Sequence, residues 1–340
     1  MGKGTGRRSA VAMVGAGSRF VSSQLRRRRL GPLGPEVSEI GVGTNNFGRR
    51  LDQAGARAVV DAALDHGINL FDTADIYGGG ESERYLGAAL RGRRDLALIA
   101  TKFGMFKEGL EPSDRRGSPE YIRKAVEGSL GRLGVDHIDL YQMHEPDPNT
   151  PIAETLGALH ELVKEGKVRW LGVSNFAGWQ LVDAQWTARS RGLTEITSSQ
   201  DEYSLLERGI EREVLPAIEH LGIGLLPYFP LASGLLTGKY RRGEPAPPGT
   251  RLSSGANAAS LADQAKFDVL EALQAFARER EITLLQVAIG GLLGRAAVSS
   301  VIAGAMSEEQ VAANVAAASW VASAEDWVEL DRITRRSPRP

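Results

Sequence analysis

Cysteine is absent from the 340 residues of the sequence. Disulfide bonds, thiol nucleophiles and cysteine-ligated metals are therefore excluded, and we expect no metal site. An excess of charge of one sign is also missing, because 41 basic residues nearly balance 42 acidic ones. Such a chain has no net field that would gather nucleic acid or an anionic membrane, so we expect neither as a partner.

Long hydrophobic runs are missing as well. No apolar run reaches the roughly 18 to 20 residues that a membrane-spanning helix needs, so we expect a cytoplasmic protein. Residues 1–29 are rich in glycine, serine and arginine, and Arg7 and Arg8 before an apolar stretch resemble a twin-arginine export signal. That stretch is short and has no small-residue cleavage site. We interpret residues 1–29 as a flexible leader or the product of a misassigned start codon.

From residue 30 onward, short apolar runs alternate with longer segments of helical period. This alternation predicts parallel strands joined by crossover helices. The runs are 40–44, 68–71, 96–100, 138–143, 168–173, 195–198, 222–227 and 299–302, and the helix candidates include 53–65, 119–133, 152–165, 209–221 and 261–280. Eight units favour a closed (β/α)8 TIM barrel, forming one domain over residues 30–335, rather than an open doubly wound sheet.

Two segments interrupt the alternation. Residues 241–254 contain three prolines and predict a long loop after the seventh strand of the barrel. Residues 323–333 predict an extra C-terminal helix that packs Trp327 and Leu330 against the barrel.

Polar residues close six of the eight predicted strands. They are Asp72, Lys102, His144, Ser174 with Asn175, Gln200 and Tyr228, at intervals of 26 to 42 residues. Each interval is about one strand and one helix, and in a barrel the carboxyl ends of all strands face the same rim. Taken singly, Asp72 could be a helix cap and Lys102 a surface cation. Six such positions in register predict one functional site at that rim.

In these residues the sequence resembles the aldo-keto reductase family, from about residue 30 to residue 331, and most closely its bacterial and potassium channel β-subunit branch. The most specific segment is 71–78, where Asp72 stands five residues before Tyr77. Residues 100–102, 141–144, 172–176 and 234–240 follow in the family's order, and 304–310 with Asn314 resembles its adenosine-side motif.

The resemblance implies that the protein reduces an aldehyde or ketone with NADPH. Tyr77 would donate a proton to the carbonyl oxygen, and Lys102 would supply the positive charge that makes this phenol a better acid. Asp72 would fix Lys102, and His144 would hydrogen-bond the carbonyl oxygen and orient the substrate.

The resemblance also implies a set of cofactor contacts. Ser174, Asn175 and Gln200 would bind the nicotinamide carboxamide, and Tyr228 would stack on the ring. The phosphates and the adenosine would be held by Pro230, Leu231, Gly234, Leu235, Lys239, Arg251, Gly304, Gln310 and Asn314. Met306, Ala313 and Phe229 depart from the family's usual residues, so the expected preference for NADP(H) over NAD(H) depends on Lys239, Arg251 and Gln310.

Three alternative functions stay open. The same residues could oxidise an alcohol or a sugar lactol, the chain could be an NADP(H)-binding regulatory subunit, or Lys102 could form a Schiff base in an aldolase. The expected substrate is a small carbonyl compound such as a sugar or natural product, and the sequence does not fix its identity or the oligomeric state. Phe103, Phe106 and Trp179 follow strand ends and are candidates to line its pocket, although Trp179 could instead pack beneath its helix.

Overall fold

The computed structural model describes residue 1 and residues 25–106, 109–248, 250–253 and 263–335. Most of the predicted leader, including Arg7 and Arg8, lies outside the described residues, as does part of the proline-rich segment after residue 240. None of the helices in the described ranges is long and apolar enough to cross a membrane.

Eight of the ten strands in the described residues form one parallel sheet. The strands are β1 (Arg27–Arg29), β2 (Glu36–Ser38), β3 (Ile40–Gly43), β4 (Leu70–Asp72), β5 (Leu98–Phe103), β6 (Ile138–Met143), β7 (Val168–Ser174), β8 (Ile196–Glu202), β9 (Gly224–Tyr228) and β10 (Val301–Gly304). Strand β10 pairs with β3, and each strand from β3 to β8 pairs with the next. Backbone bonds from Leu225 N to Ala297 O (2.8 Å) and from Ser299 N to Leu225 O (2.9 Å) bring β9 beside the segment before β10. The sheet is thus a nearly closed barrel, which confirms the predicted fold.

Most helices in the described residues lie between successive strands around this barrel, and the last two follow β10. They are α1 (Gln53–Asp65), α2 (Glu81–Ala89), α3 (Pro119–Leu133), α4 (Ile152–Lys164), α5 (Gly178–Ser190), α6 (Val214–Leu221), α7 (Gln264–Glu279), α8 (Leu284–Leu293), α9 (Glu308–Ala317) and α10 (Ala324–Thr334). The predicted helix 209–221 is two elements, because a 3-10 turn at Gly209–Arg212 precedes α6. Ser118 caps α3 and Gly134 ends it at φ 65°, so local side-chain chemistry fixes both of its ends.

The N-terminal end of the barrel is closed by a hairpin. Arg27–Arg29, which the sequence analysis assigned to the flexible leader, form β1 and pair antiparallel with β2. Leu30 and Val37 are fully buried there, in one apolar cluster with barrel residues such as Leu140. Arg28 also bonds Glu39 (2.6 Å). The opposite rim is therefore the open end.

Two helices in the described residues, α7 and α10, lie outside the eight strand-helix units. Trp327 and Leu330 of α10 are buried as predicted, but they pack against α7 and α8 rather than against the barrel strands. Arg280 links α7 to α10 through bonds to Asp326 (2.8 Å) and Glu329 (3.0 Å). These bonds and the shared apolar cluster therefore hold α10 against α7.

Candidate active site

A cavity of about 1250 Å³ opens at the carboxyl-terminal rim of the barrel. Nearly every residue that the sequence places at the site lines this cavity: Asp72, Tyr77, His144, Ser174, Asn175, Gln200, Tyr228, Pro230, Leu231, Gly234, Lys239, Arg251, Gly304, Gln310 and Asn314. Leu235 and Lys102 do not line it, since Leu235 is buried in a small cluster with Tyr240 and Leu252 and Lys102 is fully buried.

Lys102 is a fully buried cation at the floor of this site. Its exposure is 0%, and its ammonium donates to Asp72 Oδ2 (2.7 Å), Thr73 O (2.8 Å) and Tyr77 OH (3.5 Å). Burial lowers the pKa of Lys102, but the charges and hydrogen bonds of Asp72 and Tyr77 together raise it by more, so the net pKa is raised. The side chain is therefore a fixed positive charge at neutral pH.

Asp72 is held by side chains from two further strands. Its Oδ1 accepts hydrogen bonds from Gln200 Nε2 (2.9 Å) of β8 and from Gln142 Nε2 (3.3 Å) of β6. Together with the Lys102 bond these contacts satisfy both carboxylate oxygens, which a buried charge requires. Gln200, which the family resemblance assigned to the cofactor, has its amide N–H engaged with Asp72.

Tyr77 stands above Lys102 on the loop after β4. Its ring centroid lies 5.1 Å from Lys102 Nζ and 5.9 Å from the His144 ring, in an edge-on arrangement. Burial raises the pKa of Tyr77, while the charges of Lys102 and Arg251 lower it in part. The phenol of Tyr77 therefore keeps its proton at neutral pH, and the ammonium of Lys102 lies beside its oxygen.

His144 follows β6 and is buried next to the same cation. Burial, and to a lesser extent the charge of Lys102, lower the pKa of His144 to about 3. The imidazole is therefore neutral at physiological pH, and one of its ring nitrogens carries a proton that can be donated to a carbonyl oxygen.

Asn175 connects three parts of the rim. Its Nδ2 donates to His144 O (2.9 Å) and to Ser174 Oγ (3.0 Å), and its Oδ1 accepts from Tyr228 OH (2.8 Å). The Ser174 hydroxyl in turn donates to Gln200 O (2.7 Å). These side chains therefore form one hydrogen-bonded wall at the end of β7.

The backbone after β9 is strained. Phe229, Ala232 and Ser233 adopt φ values of 50°, 46° and 58°, and Gly234 adopts 95°. Left-handed conformations are costly for residues with a side chain, and they cluster where a protein holds a ligand. This segment borders the cavity over most of its length.

Two cations stand at the edge of this strained segment without a carboxylate partner. Lys239 lies over the Tyr240 ring (5.3 Å) and Arg251 over the Phe229 ring (4.8 Å). In the described part of the chain neither forms an ion pair. Burial lowers the pKa of Arg251, and the charges of Arg50 and Arg49 lower it further. The arrangement suits a multiply charged anion.

The aromatic residues predicted to line the pocket do not line it. Phe103 is fully buried on the helical side of the barrel and stacks on Tyr141 (4.7 Å). Phe106 lies beside Arg116, and Trp179 is 64% exposed on α5, neither in the pocket nor packed beneath its helix. The lining contains Ile76 and Met105 instead.

The loop after β3 contributes residues that the sequence analysis missed. Asn45, Asn46, Arg49 and Arg50 line the cavity and join Lys239 and Arg251 on its basic side. The rule that polar residues follow strand ends applies to β3 as well, because Thr44 and the two asparagines come directly after its last residue. That signal would have identified them.

Comparison with known proteins agrees with this geometry. The model of the "Aldo/keto reductase family" matches residues 39–335. The chain is 40% identical over 292 residues to an uncharacterized oxidoreductase, YrpG, of Bacillus subtilis (strain 168), covering 83% of this chain and 87% of that protein.

Two plant proteins are also similar. A probable voltage-gated potassium channel subunit beta of Oryza sativa subsp. japonica is 36% identical over 301 residues, with 86% of this chain and 91% of that protein covered. A probable aldo-keto reductase 1 of Glycine max is 39% identical over 225 residues, with 65% and 63% covered. The chain belongs to the aldo/keto reductase family and is an oxidoreductase.

The low pKa of His144 gives a prediction for its titration. Among the chain's five histidines, the NMR imidazole signal that is lost in His144→Gln should not titrate between pH 8 and pH 5. The unfolded chain takes up this proton below its ordinary pKa near 6.5, whereas the folded chain does not. The free energy of unfolding should therefore decrease as the pH is lowered below about 6.5. This decrease should be larger in the wild type than in His144→Gln, by up to about 1.4 kcal/mol per pH unit. A midpoint above pH 5 for this signal would contradict the buried, neutral state.

Proposed function

We propose that this protein reduces the aldehyde or ketone group of a small molecule to an alcohol with NADPH, and that Tyr77 is the proton donor. One observation carries the proposal. The Tyr77 hydroxyl lies 3.5 Å from the ammonium of Lys102, which is fully buried and fixed by Asp72 at 2.7 Å. A phenol beside a fixed cation is an acid whose conjugate base is stabilised before the reaction begins.

The residues around the cavity fit a nicotinamide dinucleotide. When bound, this cofactor supplies the hydride. Tyr228 offers an aromatic face held by its bond to Asn175, and the strained segment after it presents backbone groups at the cavity edge. Lys239 and Arg251 offer cations for phosphate, and Gln310 and Asn314 stand at the far end of the same cavity.

The proton step follows from the states of the side chains. Tyr77 is protonated at neutral pH, so it can give its proton to the carbonyl oxygen as that oxygen gains negative charge. The oxyanion of Tyr77 that results lies next to the ammonium of Lys102 until solvent returns a proton. Neutral His144 donates a hydrogen bond to the same carbonyl oxygen, which orients the substrate.

The protonation states of these side chains also bear on the alternative functions. A Schiff-base aldolase needs a neutral amine, whereas the raised pKa of Lys102 and its three acceptors keep this amine charged. A regulatory role is suggested by the relatives named as channel β subunits, but the complete set of acid, cation and imidazole supports catalysis.

The proton-donor role predicts the behaviour of one conservative variant. Tyr77→Phe should lower kcat for NADPH oxidation with a panel of aldehydes and ketones by about 10²-fold or more, because the acid is lost while the ring remains. Tyr85→Phe, at a half-buried tyrosine of α2 that does not line the cavity, is the control and should keep full activity. Full turnover by Tyr77→Phe would overturn the proposal.

The preference for NADP(H) gives a second prediction. Lys239→Gln and Arg251→Gln should each raise KM for NADPH by about 10-fold or more, since each removes a charged hydrogen-bond donor to phosphate. If these side chains bind the 2′-phosphate, KM for NADH should change much less. Lys164→Gln, an exposed lysine of α4, serves as the control. Equal effects of Lys239→Gln and Arg251→Gln on both cofactors would contradict the assignment to the 2′-phosphate.

A further inference from the structure

The loop after β5 is held by an ion pair with the loop after β6. Arg116 is 7% exposed, and its Nη1 donates to Glu145 Oε1 and to Gly104 O (2.5 Å). The same carboxylate oxygen accepts from the backbone N–H of Phe106 (2.6 Å). The Arg116 guanidinium also lies over the Phe106 ring, 5.7 Å from its centroid. These contacts fix the backbone on both sides of Met105.

This ion pair stands next to the residues of the proton step. Glu145 directly follows His144, and Gly104 comes two residues after Lys102. The backbone N–H of His144 bonds Phe103 O (2.8 Å), so the two loops leave the barrel rim side by side. Gly104 adopts φ 83°, a left-handed conformation that favours glycine and turns the chain after β5. The turn and the ion pair together set the path of the first residues of the loop.

Met105 is the one described residue of this loop that lines the cavity. It is half-buried there, and Ile76, directly before Tyr77, lines the cavity after the neighbouring strand β4. The other apolar side chains in the described lining come from residues 228–314, the part of the chain with the proposed phosphate and adenosine contacts. Ile76 and Met105 therefore form an apolar wall beside Tyr77 that is separate from those contacts.

We propose that Glu145 and Arg116 are positioning residues: their ion pair holds Met105 against the site, where Met105 binds the apolar group that a substrate carries next to its carbonyl. This inference rests on the proposed function, since it takes the cavity beside Tyr77 and His144 as the place of the carbonyl. The substrate class is then an aldehyde or ketone with an apolar group of several carbons. Methionine suits such a wall, because its unbranched, polarizable side chain adapts to apolar groups of different shape.

A second ion pair links the same loop to the start of α4. Arg115 pairs with Glu154 (2.5 Å), and both side chains are about half exposed. An exposed ion pair contributes little to stability, whereas breaking a buried pair leaves a charge without its partner. Glu154→Gln is therefore the matched control for the removal of Glu145, and it should keep the wild-type substrate specificity.

The test measures kcat/KM for straight-chain aldehydes from propanal to hexanal at saturating NADPH. For the wild type the value should rise with chain length, because the added methylene groups meet Met105. In Met105→Ala the ratio of hexanal to propanal should fall about 10-fold. Glu145→Ala and Arg116→Met should each give the same fall with Met105 present. Met105→Ala combined with Glu145→Ala should show no further loss, and Kd for NADPH should stay at the wild-type value in every variant.

The outcomes separate this inference from the proposed function. A wild-type kcat/KM that does not rise with chain length, or a ratio that is unchanged in Met105→Ala, would overturn the inference while leaving the reductase proposal intact. So would an unchanged ratio in Glu145→Ala and Arg116→Met. An equal loss for both aldehydes in Glu145→Ala would also overturn it, since the residue would then act through His144. A wild-type protein that oxidises NADPH with no aldehyde or ketone would overturn the proposed function and this inference with it.

Discussion

The ion pair between Asp72 and Lys102 is the interaction on which the rest of the site depends. Two charges removed from water are costly, and their attraction repays that cost only when every remaining polar atom is also bonded. Here the ammonium has three acceptors and the carboxylate has two amide donors in addition, supplied by Gln142 and Gln200. Strands β4, β5, β6 and β8 contribute these groups. The barrel therefore fixes a cation where no single loop could hold one.

The rim of the barrel also concentrates backbone strain. Four of the five described non-glycine residues with positive φ lie there, at Asn175, Phe229, Ala232 and Ser233, and the fifth is Glu281. The apolar layer between strands and helices, together with the hairpin that closes the opposite end, provides the stability against which such strain can be held. The two ends of the barrel thus have different tasks, packing at one and ligand binding at the other.

Particular residues show what the sequence could reveal. Asp72, Lys102 and His144 were predictable because each closes an apolar strand and one rim collects all strand ends. Hairpin β1–β2 was not, because three consecutive arginines have no apolar pattern although their backbone pairs with β2. Phe103 was misplaced because neighbouring residues in a strand face opposite sides, so an inward Lys102 sends Phe103 outward.

The central claim is that the buried cation serves the proton step rather than cofactor binding or folding alone. The most direct measurement is a single-turnover experiment with NADPH and a reducible aldehyde on Lys102→Met combined with Asp72→Asn, which leaves no unpaired buried charge. The account predicts that Kd for NADPH stays within about 3-fold of the wild type while the rate of NADPH oxidation on the enzyme falls by about 10²-fold or more. An unchanged rate, or a loss confined to NADPH affinity, would contradict it.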